Sequence, residues 1–213
     1  MNDYERIRSF IRSYYTDENG GLQELYNSAV SRGVPVIRQD TRELLRLLLE
    51  MNKPEKILEI GTAVGYSALF MASCLPGAEI VTMELDPERA AEARANFDSM
   101  QCSRIKLMEG DAAELLKELD GIFDFIFVDA AKAQYIVYLP EMIRLSHPGT
   151  VILSDNVLQE GNILESHFLV EKRDRTIHDR MRDYLNKITH TEGLVTSIMP
   201  VGDGVAVTYL KEE

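Results

Sequence analysis

Lys56-Ile57-Leu58-Glu59-Ile60-Gly61-Thr62-Ala63-Val64-Gly65-Tyr66-Ser67 is the stretch that decides the fold. Ile57, Leu58 and Ile60 make a short aliphatic run of the kind that forms a strand buried on both faces. Gly61 and Gly65 then bracket a tight turn, and residues 66–72 resume with helical spacing. Strand, glycine turn and helix together are how an α/β sheet builds a nucleotide site. The glycines let a ligand approach the backbone, and the N–H groups of the helix point into the crevice. The spacing here is Gly-x3-Gly, with Glu59 inside the strand, and not the G-x-G-x-x-G of a pyrophosphate cradle. An acid ahead of the first glycine repels a diphosphate but suits a ligand that carries an amino group. That chemistry points to S-adenosylmethionine (SAM) rather than NAD.

Working outward, strands and helices alternate on the carboxyl side. Glu79–Glu84 reads as a second strand ending in an acid, and Asp86-Pro87-Glu88 as a helix start with Asp86 as N-cap. Arg104–Met108, Phe123–Val128 and Thr150–Leu153 follow as further strands, separated by helical patterns around Leu115 and from about Lys132 to Leu145. Such alternation predicts a parallel, doubly wound sheet. A charged helix from about Val170 to Thr191 comes next. Leu194–Met199 and Val205–Leu210 then form two strands joined by Pro200-Val201-Gly202-Asp203-Gly204, a turn short enough to require an antiparallel hairpin. On the amino side, three amphipathic helical patterns occupy residues 1–53 and stand before the core of residues 54–213. They either pack plainly on the sheet, cover the site or form a dimer interface. The whole of 1–213 is read as one domain.

The formal net charge of −12 argues against nucleic-acid binding driven by global charge, though not against a local basic face. No apolar run approaches the roughly 20 residues needed to span a bilayer, and residues 1–6 lack a signal-peptide pattern. The isolated cysteines Cys74 and Cys102 suit a reduced, cytoplasmic setting.

In a doubly wound sheet the ligand lies outside the carboxyl ends of the strands, so the acids sort by position. Glu84 ends the second strand, where a carboxylate accepts from ribose hydroxyls. Asp111 follows Gly110 after the third strand; it can accept from an adenine amino group, cap the next helix, or both. Ser67 can reach a carboxylate through its hydroxyl and its N–H. Asp129 ends the fourth strand, and Asp155-Asn156 ends the fifth. Two carboxylates and an amide carbonyl are hard oxygen donors of the kind Mg²⁺ accepts. The plainer alternative makes Asp155-Asn156 a turn and Asp129 a helix cap. Lys132 sits at a helix start, unfavourably for the helix dipole. Near a divalent cation an ammonium gives up its proton more readily, which would make Lys132 a general base. The alternative is a surface lysine paired with Glu141. His147, His167, His178 and His190 are scattered without His-x3-His spacing, so no softer metal site is expected and most of the rings are placed on the surface.

With these residues in view, the chain resembles the cation-dependent class I O-methyltransferases, the group containing catechol and caffeoyl-CoA O-methyltransferases. The resemblance rests on residues 59–67, Asp129-Ala130-Ala131-Lys132, Asp155-Asn156 and the 200–204 turn, in order along nearly the whole chain. It implies a Rossmann-like sheet of seven strands, mostly parallel, with one antiparallel strand inserted by the last hairpin. It also implies Asp129, Asp155 and Asn156 as ligands of a divalent cation, Mg²⁺ first. Lys132 is implied as base, with Asp129 beside it in the catalytic set. Ile37, Glu59, Gly61, Gly65, Ser67, Glu84, Gly110, Asp111 and Asp129 are placed around SAM, and a homodimer through the N-terminal helices is expected. Within the group, the Val34-Pro35-Val36-Ile37 entry and the Ile198–Gly204 ending look most like the bacterial branch that methylates 5-hydroxyuridine at the tRNA wobble position. A C5 hydroxyl beside a C4 carbonyl presents two neighbouring oxygens, as a catechol does. The tRNA anticodon loop would then meet Arg38, Lys172, Arg173, Arg175 and Arg180, with Arg32, Arg182 and Lys187 nearby, although Glu171, Asp174, Asp179 and Asp183 dilute that face. Three other readings stand beside this one: a methyltransferase of small catechol-like phenols, an NAD-dependent oxidoreductase on the same fold, and a binding module without activity.

Overall fold

The computed structural model describes residues 3–17 and 20–212. Seven strands form one sheet in the order β3-β2-β1-β4-β5-β7-β6. They are β1 (Lys56–Ile60), β2 (Glu79–Glu84), β3 (Ile105–Glu109), β4 (Phe123–Val128), β5 (Ser146–Ser154), β6 (Leu194–Met199) and β7 (Val205–Leu210). The first five pair in parallel, while β7 runs antiparallel between β5 and β6. The doubly wound sheet and its C-terminal hairpin are as the sequence predicts. The order reverses between β1 and β4, and that switch point is where the crevice opens.

Period-two alternation in the central strands splits the core in two. On one face Ile57, Phe125, Phe127 and Leu153 bury against α4 (Tyr66–Cys74), α3 (Gln39–Asn52) and α2 (Gly21–Ser31). On the other, Leu58, Ile60, Ile126 and Ile152 pack on α6 (Ala112–Glu118), α7 (Tyr135–Arg144) and α8 (Arg175–His190). Helix α5 (Pro87–Ser99) begins as expected: Asp86 Oδ1 accepts from the N–H of Glu88, and Pro87 takes the first helical position.

Three boundaries differ from the sequence reading. The segment after β4 opens with a 3-10 turn, Lys132–Gln134, before α7 begins at Tyr135. Strand β5 starts earlier, at Ser146, because Thr150 Oγ1 donates to the carbonyl of Phe123 and holds the irregular Ser146–Gly149 entry to the sheet. Helix α8 starts only at Arg175, so Lys172 and Arg173 lie in the turn that precedes it.

The N-terminal segment does more than pack. Helix α1 (Asp3–Arg12) is pinned to the start of α3 where Arg8 and Arg12 both donate to the carboxylate of Asp40. The start of α3 and the extended residues before it reach the carboxyl ends of the strands.

Candidate active site

Gly61 and Gly65 carry the turn after β1. Gly61 has φ of 103°, and a Cβ there would strike the backbone carbonyl of Asp129. Gly65 has φ of 85°, and a Cβ there would collide with the ring of Phe97. The first close approach brings the ends of β1 and β4 together. The second seats α5 under the turn and accounts for Gly65 without ligand contact, since it does not line the crevice.

A cavity of about 530 Å³ opens at the switch point. Of the residues singled out from the sequence, Ile37, Arg38, Gly61, Ser67, Glu84, Gly110, Asp111, Asp129, Lys132 and Asn156 line it. Glu59, Gly65 and Asp155 stand behind the wall; Glu59 and Asp155 are buried.

Glu59 is fully enclosed. Thr82 donates to its Oε2 and accepts in turn from Thr62, while Oε1 finds no hydrogen-bond partner. Burial pushes its carboxyl up to about 8, against the opposing pull of the Ser67 and Thr82 hydroxyls. An unsatisfied buried carboxyl oxygen behind a glycine turn fits a ligand bearing an ammonium. Glu84 receives the N–H of Ala63 on one oxygen and that of Asp86 on the other, 2.7 and 2.9 Å away. Those bonds fix the carboxylate at the tip of β2, where each oxygen keeps a lone pair for a diol. Asp111 caps α6 through the N–H of Ala113 and also lines the cavity.

The tips of β4 and β5 bring Asp129, Asp155 and Asn156 together. Asn156 Nδ2 donates to Asp129 Oδ1 at 2.7 Å, leaving the amide carbonyl as the oxygen it can offer a cation. Asp155 Oδ1 accepts from the N–H of Asn156 and from Thr41 Oγ1. Tyr135, itself buried, donates to the carbonyl of Asp155 and so locks that tip from below. Asn156 adopts φ of 59°, a conformation asparagine tolerates better than most residues, which turns its amide toward β4. Burial raises the Asp129 carboxyl, and burial with the charge of Asp129 pushes Asp155 up to about 7. One buried and one half-buried acid, hydrogen-bonded by an amide, a hydroxyl and a backbone N–H, form an oxygen set that fits a divalent cation.

Lys132 Nζ lies 3.3 Å from Asp203 Oδ2 at the rim of the same cavity. The surface pairing with Glu141 does not form; Glu141 binds Arg144 instead. Asp203, Thr41 and Tyr135 were not assigned roles from the sequence. The 200–204 turn is visible there, but which strand tip it overhangs depends on β7 inserting beside β5.

On the basic face expected at α8, Arg173 pairs with Glu171 and Asp174, while Arg175, Arg180 and Arg182 keep their charge and donate to the carbonyls of Val170, Ala133 and Ile163. Arg32 is held by Glu92. Another arginine-lined surface lies elsewhere. Arg8, Arg12 and Arg38 line a second concavity of about 530 Å³, which shares Val36 and Arg38 with the first.

Residues 12–211 match the family described as O-methyltransferase. The chain belongs to that family. It is 35% identical over 172 residues to a catechol O-methyltransferase of Niastella koreensis, covering 77% of this chain and 78% of that one. It is 36% identical over 163 residues to a catechol O-methyltransferase of Mycobacterium tuberculosis, covering 74% of each. Among solved structures, an S-adenosylhomocysteine (SAH)-bound methyltransferase of Podospora anserina superposes with a TM-score of 0.88 at 27% identity, over 100% of this chain and 97% of that one. An SAH complex of a Bacillus cereus O-methyltransferase gives 0.84 at 26% identity, covering 97% of both chains. This O-methyltransferase is SAM-dependent, and the oxidoreductase reading of the same fold is set aside.

Proposed function

We propose that this O-methyltransferase transfers the methyl of SAM to a hydroxyl flanked by a second oxygen, with 5-hydroxyuridine at the tRNA wobble position as acceptor. The observation that carries the reading is the meeting of Asp129, Asp155 and Asn156 at two adjacent strand tips, with Asp129, Asn156 and Lys132 lining one cavity and Asp155 buried behind it.

Glu59 holds the ammonium of the cofactor through its unsatisfied oxygen, Ser67 its carboxylate, Glu84 its ribose and Asp111 its adenine. Asp129, Asp155 and Asn156 would hold Mg²⁺, which would supply a hard positive charge that favours the deprotonated form of a neighbouring hydroxyl. Lys132 takes the acceptor proton on Nζ, and Asp203 keeps that side chain at the rim. The rest is placement: the chain must hold a nucleophilic oxygen in line with the sulfonium methyl and keep water away.

The arginine-lined concavity supports an anionic acceptor larger than a phenol. Arg8, Arg12 and Arg38 line it, Arg8 and Arg12 share the carboxylate of Asp40, and Arg38 borders both hollows. An anticodon loop contacts few phosphates, so a local patch suffices despite the net charge. The second reading, a small catechol-like phenol, is favoured by the names of the relatives and by the charge of −12.

One assay separates them: purified protein and SAM with tRNA carrying 5-hydroxyuridine, or with catechol, each with and without excess chelator. Methoxyuridine formed only without chelator is the expected result. Methylation of catechol with none on tRNA would replace the acceptor, and undiminished turnover in chelator would remove the metal.

A further inference from the structure

Away from the cavity, most of the histidines are at least partly exposed, as expected, but two of them come together. His178 is buried, and His167, from the segment between the 3-10 turn Gln159–Leu164 and α8, folds onto it. Asp179 completes the group. His167 Nδ1 lies 2.8 Å, and His178 Nδ1 3.1 Å, from the same oxygen, Asp179 Oδ1. His178 Nε2 lies 3.1 Å from the backbone carbonyl of Glu165.

A carbonyl only accepts, so Nε2 of His178 carries the hydrogen, and a neutral ring then presents its lone pair at Nδ1. His167 can meet the same carboxylate oxygen as a neutral Nδ1–H donor, but His178 cannot, because its Nδ1 lone pair faces Asp179 Oδ1. A proton on the buried His178 ring, or one cation among the three atoms, supplies the missing positive charge. The backbone contact of Glu165 to the far nitrogen is the support that metal-ligating histidines commonly have. Two imidazoles and one carboxylate, all within 4.8 Å of one another, are the donor set of a three-ligand zinc site. His167 and Asp179 are partly exposed, with 43% and 50% of their side-chain surface free, so a fourth position is open to water.

We propose that His167 Nδ1, His178 Nδ1 and Asp179 Oδ1 bind Zn²⁺, clipping the segment ahead of α8 to that helix. The all-oxygen set at Asp129, Asp155 and Asn156 favours harder ions, so the two sites sort cations by ligand chemistry. The clip bears on the active site through α8, where Arg180 donates to the carbonyl of Ala133 in the 3-10 turn that carries Lys132. Zinc thereby steadies the chain that leaves Asp155-Asn156 and the helix whose Arg180 holds the turn beside Lys132.

The test reads the ring nitrogens directly. With Mg²⁺ in excess, Zn²⁺ is titrated into the ¹⁵N-labelled protein while long-range ¹H–¹⁵N correlations follow all four imidazoles. One equivalent should move Nδ1 of His167 and His178 and leave those of His147 and His190 in place. Competition with a chromophoric chelator should show zinc affinity falling at least about tenfold in His167→Ala and unchanged in Asp155→Ala. His167 is exposed enough for its variant to fold, which circular dichroism verifies. Rings that are doubly protonated and indifferent to Zn²⁺, or affinity lost in Asp155→Ala but kept in His167→Ala, would overturn the site.

Discussion

Glu59 shows how one enclosed carboxyl couples the cofactor to pH. Burial pushes it up to about 8, so between its ordinary value and that point the folded protein holds a proton that the unfolded chain has released. Stability of the cofactor-free protein therefore falls as pH rises through that window and levels off above it. Replacing Glu59 by Gln keeps the shape and removes the titration. Thermal melts of Glu59→Gln should be flatter between pH 5 and 8, and the variant should be the more stable of the two at pH 8, by about 1–3 kcal/mol. An ammonium seated on Oε1 favours the ionised form, so SAH binding near neutrality should release a proton from the wild type and none from the variant. Calorimetry in buffers of different ionisation enthalpy measures this; equal release from both would place the ammonium elsewhere. Asp155 makes the complementary case. It touches no part of the cavity wall but holds Asn156 and faces Asp129. Asp155→Ala should lower turnover at least about 100-fold while changing SAH affinity less than about threefold, because the lost oxygen serves the acceptor side alone. Equal loss of both would show that the residue supports the fold instead.

At the scale of elements, the hairpin is what completes the site. Strand β7 pairs antiparallel with β5, with Ser154 opposite Ala206, and this register sets the 200–204 turn over the tips of β4 and β5. Asp203 is thereby brought to Lys132, although 71 residues separate them in sequence. Asp203→Ala should leave the KM for SAM nearly unchanged and reduce kcat about 10- to 100-fold, since Lys132 then loses the partner that keeps it at the rim. A proportional rise in the SAM KM would instead tie the turn to the cofactor. The same element explains what could be read in advance. Strand β1 and its glycines, Asp86-Pro87 and the hairpin itself are local patterns, and local patterns survive in the sequence. Asp129 and Asp155-Asn156 were legible because a parallel sheet puts successive strand ends at one edge. Asp203 and Thr41 were not, because their places depend on which strand neighbours β5 and on how α3 docks. The meeting of His167 with His178 is hidden in the sequence for a related reason. Eleven positions apart, they meet only because the irregular segment before α8 doubles back, and no periodicity marks such a fold.

At the scale of the whole molecule, an exposed apolar stripe runs along α1 and the turn after it. Ile7, Phe10, Ile11 and Tyr14 follow one another at helical spacing and are 56%, 64%, 41% and 72% exposed. The opposite side of the helix is anchored by the bonds of Arg8 and Arg12 to Asp40, so α1 is held with its apolar stripe outward. An amphipathic helix oriented that way against its own domain gains little from the hydrophobic effect unless a second surface covers it. A copy of the same chain is the economical partner, since one stripe meeting its two-fold mate closes the assembly. The resulting homodimer would also bring two arginine-lined concavities, each containing Arg8 and Arg12, to neighbouring positions, enlarging the positive surface available to a tRNA. Phe10→Glu places a charge in the middle of the stripe without touching the Asp40 anchor. Sedimentation velocity should give the mass of two chains for the wild type and of one for Phe10→Glu. Methylation of tRNA by the variant should weaken more than its SAH binding, because the cofactor cavity lies wholly within one chain whereas the basic surface is shared. A wild type that sediments as a single chain at micromolar concentration would exclude the dimer and leave the stripe for another partner.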